Sequence, residues 1–279
     1  MKRSTVLAAI VLWVAVGWAT AHQITMVGQA PPYMLAAEQT NKTLDIYFLD
    51  MVGGASTLIV TPLGESVLID TGSLEPAHRD ADRIIKACGY AGLKHIDYLV
   101  TTHFHSDHFG AILEVSERIP IKCFMDKGAL PPQHEQENER FKQLYPLYLQ
   151  ATNADIKTVR ARDDIPLRND PTGRIPKVSL HCVAAEKQVE GFDGNVDAPR
   201  KGIQPNTFAA LKSLPSLEAI YQIHYNTQYG AQGNTADEFI ANRWDPKKGE
   251  LIKVSVDPAG GVFAVSIGVT GPKKEFHIQ

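Results

Sequence analysis

His103-Phe104-His105-Ser106-Asp107-His108 sets four potential metal ligands within six residues. The apolar run Tyr98-Leu99-Val100 and the pair Thr101-Thr102 lead into it, and a helix-like segment, Gly110-Ala111-Ile112-Leu113-Glu114-Val115, follows at once. Imidazole nitrogens and carboxylate oxygens are the usual ligands of zinc and similar ions. A strand that ends in a ligand-rich turn and enters a helix fixes those side chains at an edge of the protein. The i, i+2 spacing of His103 and His105 lets both rings reach one ion from extended or tightly turned backbone. Asp107 and His108 lie one step further on, suited to a second ion beside the first.

Working outward, Leu44 to Asp50, Thr57 to Thr61 and Ser66 to Asp70 read as strands. Gly53-Gly54 and Pro62-Leu63-Gly64-Glu65 turn the chain between them. Ala81 to Cys88 carries a helical apolar face with Gly89 as its stop. His95 to Val100 is the strand that delivers the ligand turn, a helix begins near Gly110, and Ile121 to Met125 is a further strand. This β-α-β-α-β succession indicates sheets covered by helices.

The ligand turn and these flanks resemble the H-x-H-x-D-H signature and opening strands of the metallo-β-lactamase fold. The likeness is specific from about Leu44 to Met125. It is nearest to secreted bacterial relatives of the hydrolase-like domain in DNA-uptake competence proteins. The resemblance implies an α/β, αββα sandwich of two β-α halves with metal ions between their edges. It implies a hydrolase that uses a metal-activated water on an ester, phosphodiester, lactone or amide. His103 and His105 would hold the first ion, and Asp107 and His108 the second. Asp107 would also orient the attacking hydroxide. In that family the loop equivalent to Asp70-Thr71-Gly72 borders the metal site.

The same comparison shows what is missing. The second half of such a domain supplies a third histidine, a bridging aspartate after a Gly-Asp turn, and a distal histidine, often in a Ser-His-His turn. This sequence has no Gly-Asp and no His-His dipeptide, and no histidine between Cys182 and His224. The first half is therefore expected intact and the second shortened, with the irregular loop 189–206 as the scar of a deletion. Val52-Gly53-Gly54-Ala55-Ser56 also lacks the Gln and Asp of the competence-type turn, which weakens transfer of nuclease function. Two readings follow. One is a di-metal hydrolase that recruits ligands such as Asp193, Asp197, His181 or His224. The other is a truncated relic or non-catalytic metal-binding protein with a partial site. Zinc is the expected ion, one or two per chain, with one favoured.

The whole chain bounds these readings. Its 279 residues are 44% hydrophobic and 21% charged, ordinary for a globular protein with a real core. A formal charge of −3 predicts no strong attraction to nucleic acid or anionic lipid. The partner implied is a small-molecule or phosphoester substrate. Three cysteines, Cys88, Cys123 and Cys182, sit in apolar contexts and are expected as free thiols. Lys2-Arg3, the apolar stretch Val6 to Trp18 and Ala19-Thr20-Ala21 describe a secretory signal peptide over residues 1–21. The mature chain would be secreted or periplasmic, with no membrane span after cleavage. An arm over 22–43 leads into the domain, 44–279, which divides into a ligand-bearing half (44–188), the loop, and a C-terminal remnant (207–279).

In the remainder, Pro131 to Gln150 reads as an amphipathic helix bent or ended at Pro146. Ile156 to Arg160, Lys177 to Ala184 and Ala219 to Tyr225 read as strands. Thr207 to Leu214 is a short helix, and Leu251 to Val256 closes as a hairpin with Val262 to Ile267. His134 and His181 are isolated, the latter on a strand pattern.

Overall fold

The computed structural model describes residues 43–182, 217–225, 230–243, 249–257 and 259–277, with 184, 185, 188, 189, 212 and 227 besides. The expected signal peptide, the arm before Thr43, nearly all of the loop 189–206 and the helix 207–214 lie outside the described residues.

Alternating apolar residues build the first three strands, β1 (Leu44–Phe48), β2 (Thr57–Val60) and β3 (Ser66–Ile69), into an antiparallel meander. Three parallel strands then extend it: β4 (Tyr98–Thr101), β5 (Phe124–Asp126) and β6 (Ile156–Thr158). Helices fill the crossovers, as parallel strands require. These are α1 (Arg79–Tyr90), then α2 (Ser106–Phe109) with α3 (Ile112–Arg118), then α4 (Gln133–Gln136) with α5 (Glu139–Thr152). Short strands follow: β7 (Asp164–Ile165), β8 (Leu180–His181), β9 (Ala184–Ala185), β10 (Gln188–Val189), β11 (Gln222–His224) and β12 (Ile240–Asn242). A closing meander, β13 (Ile252–Asp257), β14 (Val262–Ile267) and β15 (Lys273–His277), pairs antiparallel to β1 through β13. The last strands thus extend the sheet begun by the first, in the order β15-β14-β13-β1-β2-β3-β4-β5-β6. The other described pairings are two-stranded: β7 with β8, β9 with β10, β11 with β12.

The period-two pattern gives the sheet two apolar faces. Tyr47, Leu58, Leu68 and Leu99 pack under α1, α3 and α5, against Ile84, Ile112, Leu144 and Tyr148. Leu44, Ile46, Ile59, Val67, Val254 and Val265 point the other way, beneath Val178 and Leu180, with Tyr221 and Ile223 packed alongside. Each such side chain fully buried stabilises the fold by roughly 1.5–3 kcal/mol. Burial on both faces explains why β2 and β3 are almost wholly apolar. This is a mixed α/β architecture, one large mixed sheet with covering helices, consistent with the fold expected from the sequence.

Several boundaries differ from the sequence reading. The helix expected from near Gly110 is α3, Ile112–Arg118; before it stands an additional short helical turn, α2, which starts at Ser106 with extended His105 (φ −77°, ψ 141°) at its N-cap position. Asp107 and His108 therefore stand on helix. The strand expected from Ile121 is ordered as β5 only from Phe124, since Ile121 makes a single isolated bridge with Ile96. Pro146 neither ends nor divides the helix but sits inside α5. It lies on the exposed face, where a carbonyl deprived of its amide partner meets water at little cost. β15 escaped notice because Lys273-Lys274-Glu275 is polar and Phe276 alone is buried. Cys88, Cys123 and Cys182 form no disulfide, and burial pushes the Cys88 thiol up to about 11.

Candidate metal centre

The ligand turn leaves β4 extended, so alternate side chains diverge. Phe104 points inward and packs edge-on against Phe109, Tyr145 and Tyr148, with ring centroids 5.5, 5.7 and 5.2 Å away. His103 and His105, on either side of it, face outward together, their rings 4.6 Å apart. The turn of α2 then brings His108 back, its ring 3.9 Å from that of His103. An aromatic anchor therefore fixes the register in which three imidazoles meet.

Neighbouring loops are knit to this turn through backbone bonds. Thr71 N–H donates to the His108 carbonyl (2.6 Å), Gly110 N–H to that of Gly72 (2.8 Å), and Ala55 N–H to that of Asp107 (3.1 Å). The last contact requires glycine at position 54, where a Cβ would stand 2.3 Å from the Asp107 carbonyl oxygen. Gly72 adopts φ +67°, and a Cβ there would meet the Asp80 carboxylate at 2.4 Å. Asp80 in turn accepts from Ser73 N–H (2.7 Å) and pairs with Arg79 (2.6 Å).

Asp70, almost wholly buried at the end of β3, organises the ligands. One carboxylate oxygen accepts from Thr102 N–H (2.8 Å). The other accepts from Thr102 Oγ1 (2.7 Å) and lies 2.7 Å from His108 Nδ1. Thr102 Oγ1 has one proton and gives it to Asp70, so at its 3.0 Å contact with His103 Nδ1 the imidazole donates. Both His103 and His108 thus carry their proton on Nδ1, and Nε2 of each keeps a lone pair. A carboxylate orienting a histidine in this way is the usual support of a metal ligand. Burial, with the neighbouring His108 and His105, lowers the His103 pKa to about 4, so its ring is neutral at physiological pH. Burial also acts to lower that of His108, but the hydrogen bond and charge of Asp70, with the charge of Asp107, outweigh it and raise the pKa.

The donor chemistry fits a metal ion: three clustered imidazoles, two with defined Nε2 lone pairs, and the Asp107 carboxylate close enough to act on His103 and His108. As placed, however, no three His, Cys, Asp or Glu side chains among the described residues form a ready-made metal-binding group. The additional ligands considered from sequence do not join the three. His181 Nδ1 is held by Asp164 at 2.8 Å, and His224 Nε2 is closely paired with buried Asp50. His134 is largely exposed beside Glu135. Asp193 and Asp197 lie outside the described residues.

Two participants were not assigned roles from sequence. Asp70 was seen only as a strand end bordering the site; its signal was a carboxylate directly before Thr71-Gly72, three residues that leave a strand and turn sharply. Glu135, 3.7 Å from His105 Nε2, comes from α4 and had no local signal at all.

With this geometry in hand, the comparison with known families is informative. Residues 49–182 match the family model of the metallo-beta-lactamase superfamily. Over that span the chain is similar to a superfamily of metal-dependent hydrolases, and the matched segment contains β2 to β8 and the whole ligand turn. No curated protein matches the chain with significance. Among the described residues no helix is long and apolar enough to cross a membrane.

Proposed function

We propose that this chain is an exported zinc-dependent hydrolase with one metal centre, built on His103, His105 and His108 with Asp107 as the carboxylate partner. The observation that carries the reading is the Asp70–Thr102–His103 and Asp70–His108 network, which leaves two Nε2 lone pairs available beside a third imidazole. A bound zinc ion lowers the pKa of a coordinated water towards ~7 and polarises a substrate oxygen. The chain's own contribution is orientation. Asp70 holds His103 and His108 in one tautomer, Phe104 locks the turn, and Asp107 accepts a proton from the attacking water and aims it. The substrate class is an ester, phosphodiester, lactone or amide, since substrate loops vary freely on a shared fold. The Lys2-Arg3 start, the apolar stretch to Trp18 and Ala19-Thr20-Ala21 support export, with cleavage after Ala21.

A second reading, a truncated or non-catalytic metal-binding protein, is favoured by one specific observation. His181 and His224 are engaged by carboxylates of their own and leave the three imidazoles without a further histidine among the described residues. Hydrolysis of p-nitrophenyl acetate and bis(p-nitrophenyl) phosphate by the zinc-loaded chain separates the two. The hydrolase reading expects turnover that a chelator abolishes and zinc restores, and that Asp107→Ala lowers by about 10²–10⁴-fold, the usual contribution of general acid–base catalysis. Turnover indifferent to the chelator, or none with either substrate, would leave the second reading.

A further inference from the structure

Beside the histidines a cleft of about 260 Å³ opens between α2, α4 and the start of α5. Phe104, Phe109 and Phe141 form its apolar wall, with ring centroids 5.5 to 6.5 Å apart. It is roomy for a ring: roughly 150 Å³ lined by apolar side chains suffices to hold benzene. Asp107 stands at the end nearest the histidines, and Glu135 and Arg140 also line the cleft.

The charges of these residues are not balanced alike. Arg140 is committed to Glu75 through a two-pronged ion pair (3.2 and 2.9 Å) and touches Gln143 at 3.2 Å. Its charge is already matched. Glu135 lies 3.7 Å from His105 Nε2 and 3.9 Å from His134 Nε2, and no lysine or arginine among the described residues pairs with it. An aromatic wall beside an anion that no lysine or arginine among the described residues neutralises favours one kind of guest. Apolar area is removed from water at partly exposed Phe141, with the buried rings of Phe104 and Phe109 behind it, and a positive group gains both from the carboxylate and from the accessible ring face.

We propose that the cleft is a binding site for a small aromatic molecule carrying a protonated amine, with its ring against Phe141 at the cleft surface and its ammonium on Glu135. Such a guest lies next to His105 and Asp107, so it is also the substrate class that the proposed hydrolase would accept. Only this last step rests on the hydrolase reading.

Binding of benzylamine, benzyl alcohol and benzoate to the full chain, followed by NMR, tests the site without requiring turnover. Benzylamine is expected to bind at least about tenfold more tightly than benzoate, a difference of about 1.4 kcal/mol. Glu135→Gln, at a partly exposed position that folding tolerates, should erase that preference, and Phe141→Ala should weaken all three probes. Benzoate binding as well as benzylamine, a preference that survives Glu135→Gln, or no binding of any probe would overturn the proposal. The probe ranking in the unaltered chain decides the matter even if a variant folds poorly. A chain that binds benzylamine and hydrolyses nothing retains the site and loses the hydrolase reading.

Discussion

Replacing Asp70 by alanine is expected to lower the stability of the metal-free chain by about 3–5 kcal/mol, because it removes several hydrogen bonds to one charged group, each worth roughly 1.5–3 kcal/mol. The side chain is 3% exposed and receives three contacts at 2.7 to 2.8 Å, two from Thr102 and one from His108. All three partners would be left without it. Its backbone adds to the loss, since Asp70 adopts φ +61°, a region that aspartate tolerates better than alanine. The second consequence is functional. Without Asp70 neither His103 nor His108 is held with Nε2 free, and zinc affinity should fall by about 10–100-fold. Denaturant unfolding of chelator-treated protein measures the first effect, and competition against a chromophoric chelator measures the second. A variant within about 1 kcal/mol of the parent would show that the network is incidental, because surface changes alone produce effects of that size.

Asp50→Ala should be comparably damaging, at about 3–5 kcal/mol, for a different reason. The Asp50 side chain is fully buried and sits between Arg83, whose Nη1 is 3.2 Å away, and His224. It also accepts from Val52 N–H at 2.8 Å. Arg83 reaches in from α1 and His224 from β11, so one carboxylate ties the C-terminal part of the chain to the ligand-bearing half. Burial acts to raise the Asp50 pKa. The hydrogen bonds from His224 and Val52 and the charges of His224 and Arg83 outweigh it and hold the carboxyl below its ordinary value. A depressed carboxyl stabilises the fold above the unfolded value, near 4. That stabilisation disappears as pH falls from there through the lower folded value. The gap between parent and Asp50→Ala should therefore be full at neutral pH and shrink once the pH drops below about 4. Unfolding midpoints measured at both pH values check this; an equal gap at both would refute the assignment.

The ligand-bearing half was legible because its signals are local. β1 to β4 alternate or run apolar, Gly53-Gly54 and Gly64 mark the turns, and four potential ligands crowd one hexapeptide. Features that depend on distant residues were not. Asp70 meets His108 across 38 positions and Asp50 meets His224 across 174, and no window of sequence reveals such a pairing. The sequence offers His224 as a ligand only because the second half lacks an identifiable one; the buried carboxylate it engages is visible only in the fold. The short turn α2 is absent from the sequence reading because Ser106-Asp107 reads as turn, although both residues are favoured in the first turn of a helix. Pro146 reads as a bend or end of the helix because proline costs a hydrogen bond, but exposure makes that cost small and α5 continues through it.

The central claim is a single metal centre at His103, His105 and His108. Two dications a few ångströms apart repel strongly unless an anion lies between them; of the carboxylates beside the three imidazoles, Asp70 is taken up by Thr102 and His108 Nδ1, and Glu135 reaches His105 alone of the three, at 3.7 Å, which leaves Asp107 as the carboxylate partner of one ion. Counting zinc by elemental analysis, in the purified chain after dialysis against metal-free buffer, tests this most directly. One ion per chain, lost in His103→Ala, is the predicted result. No retained zinc, or two ions per chain that His103→Ala leaves in place, would contradict it.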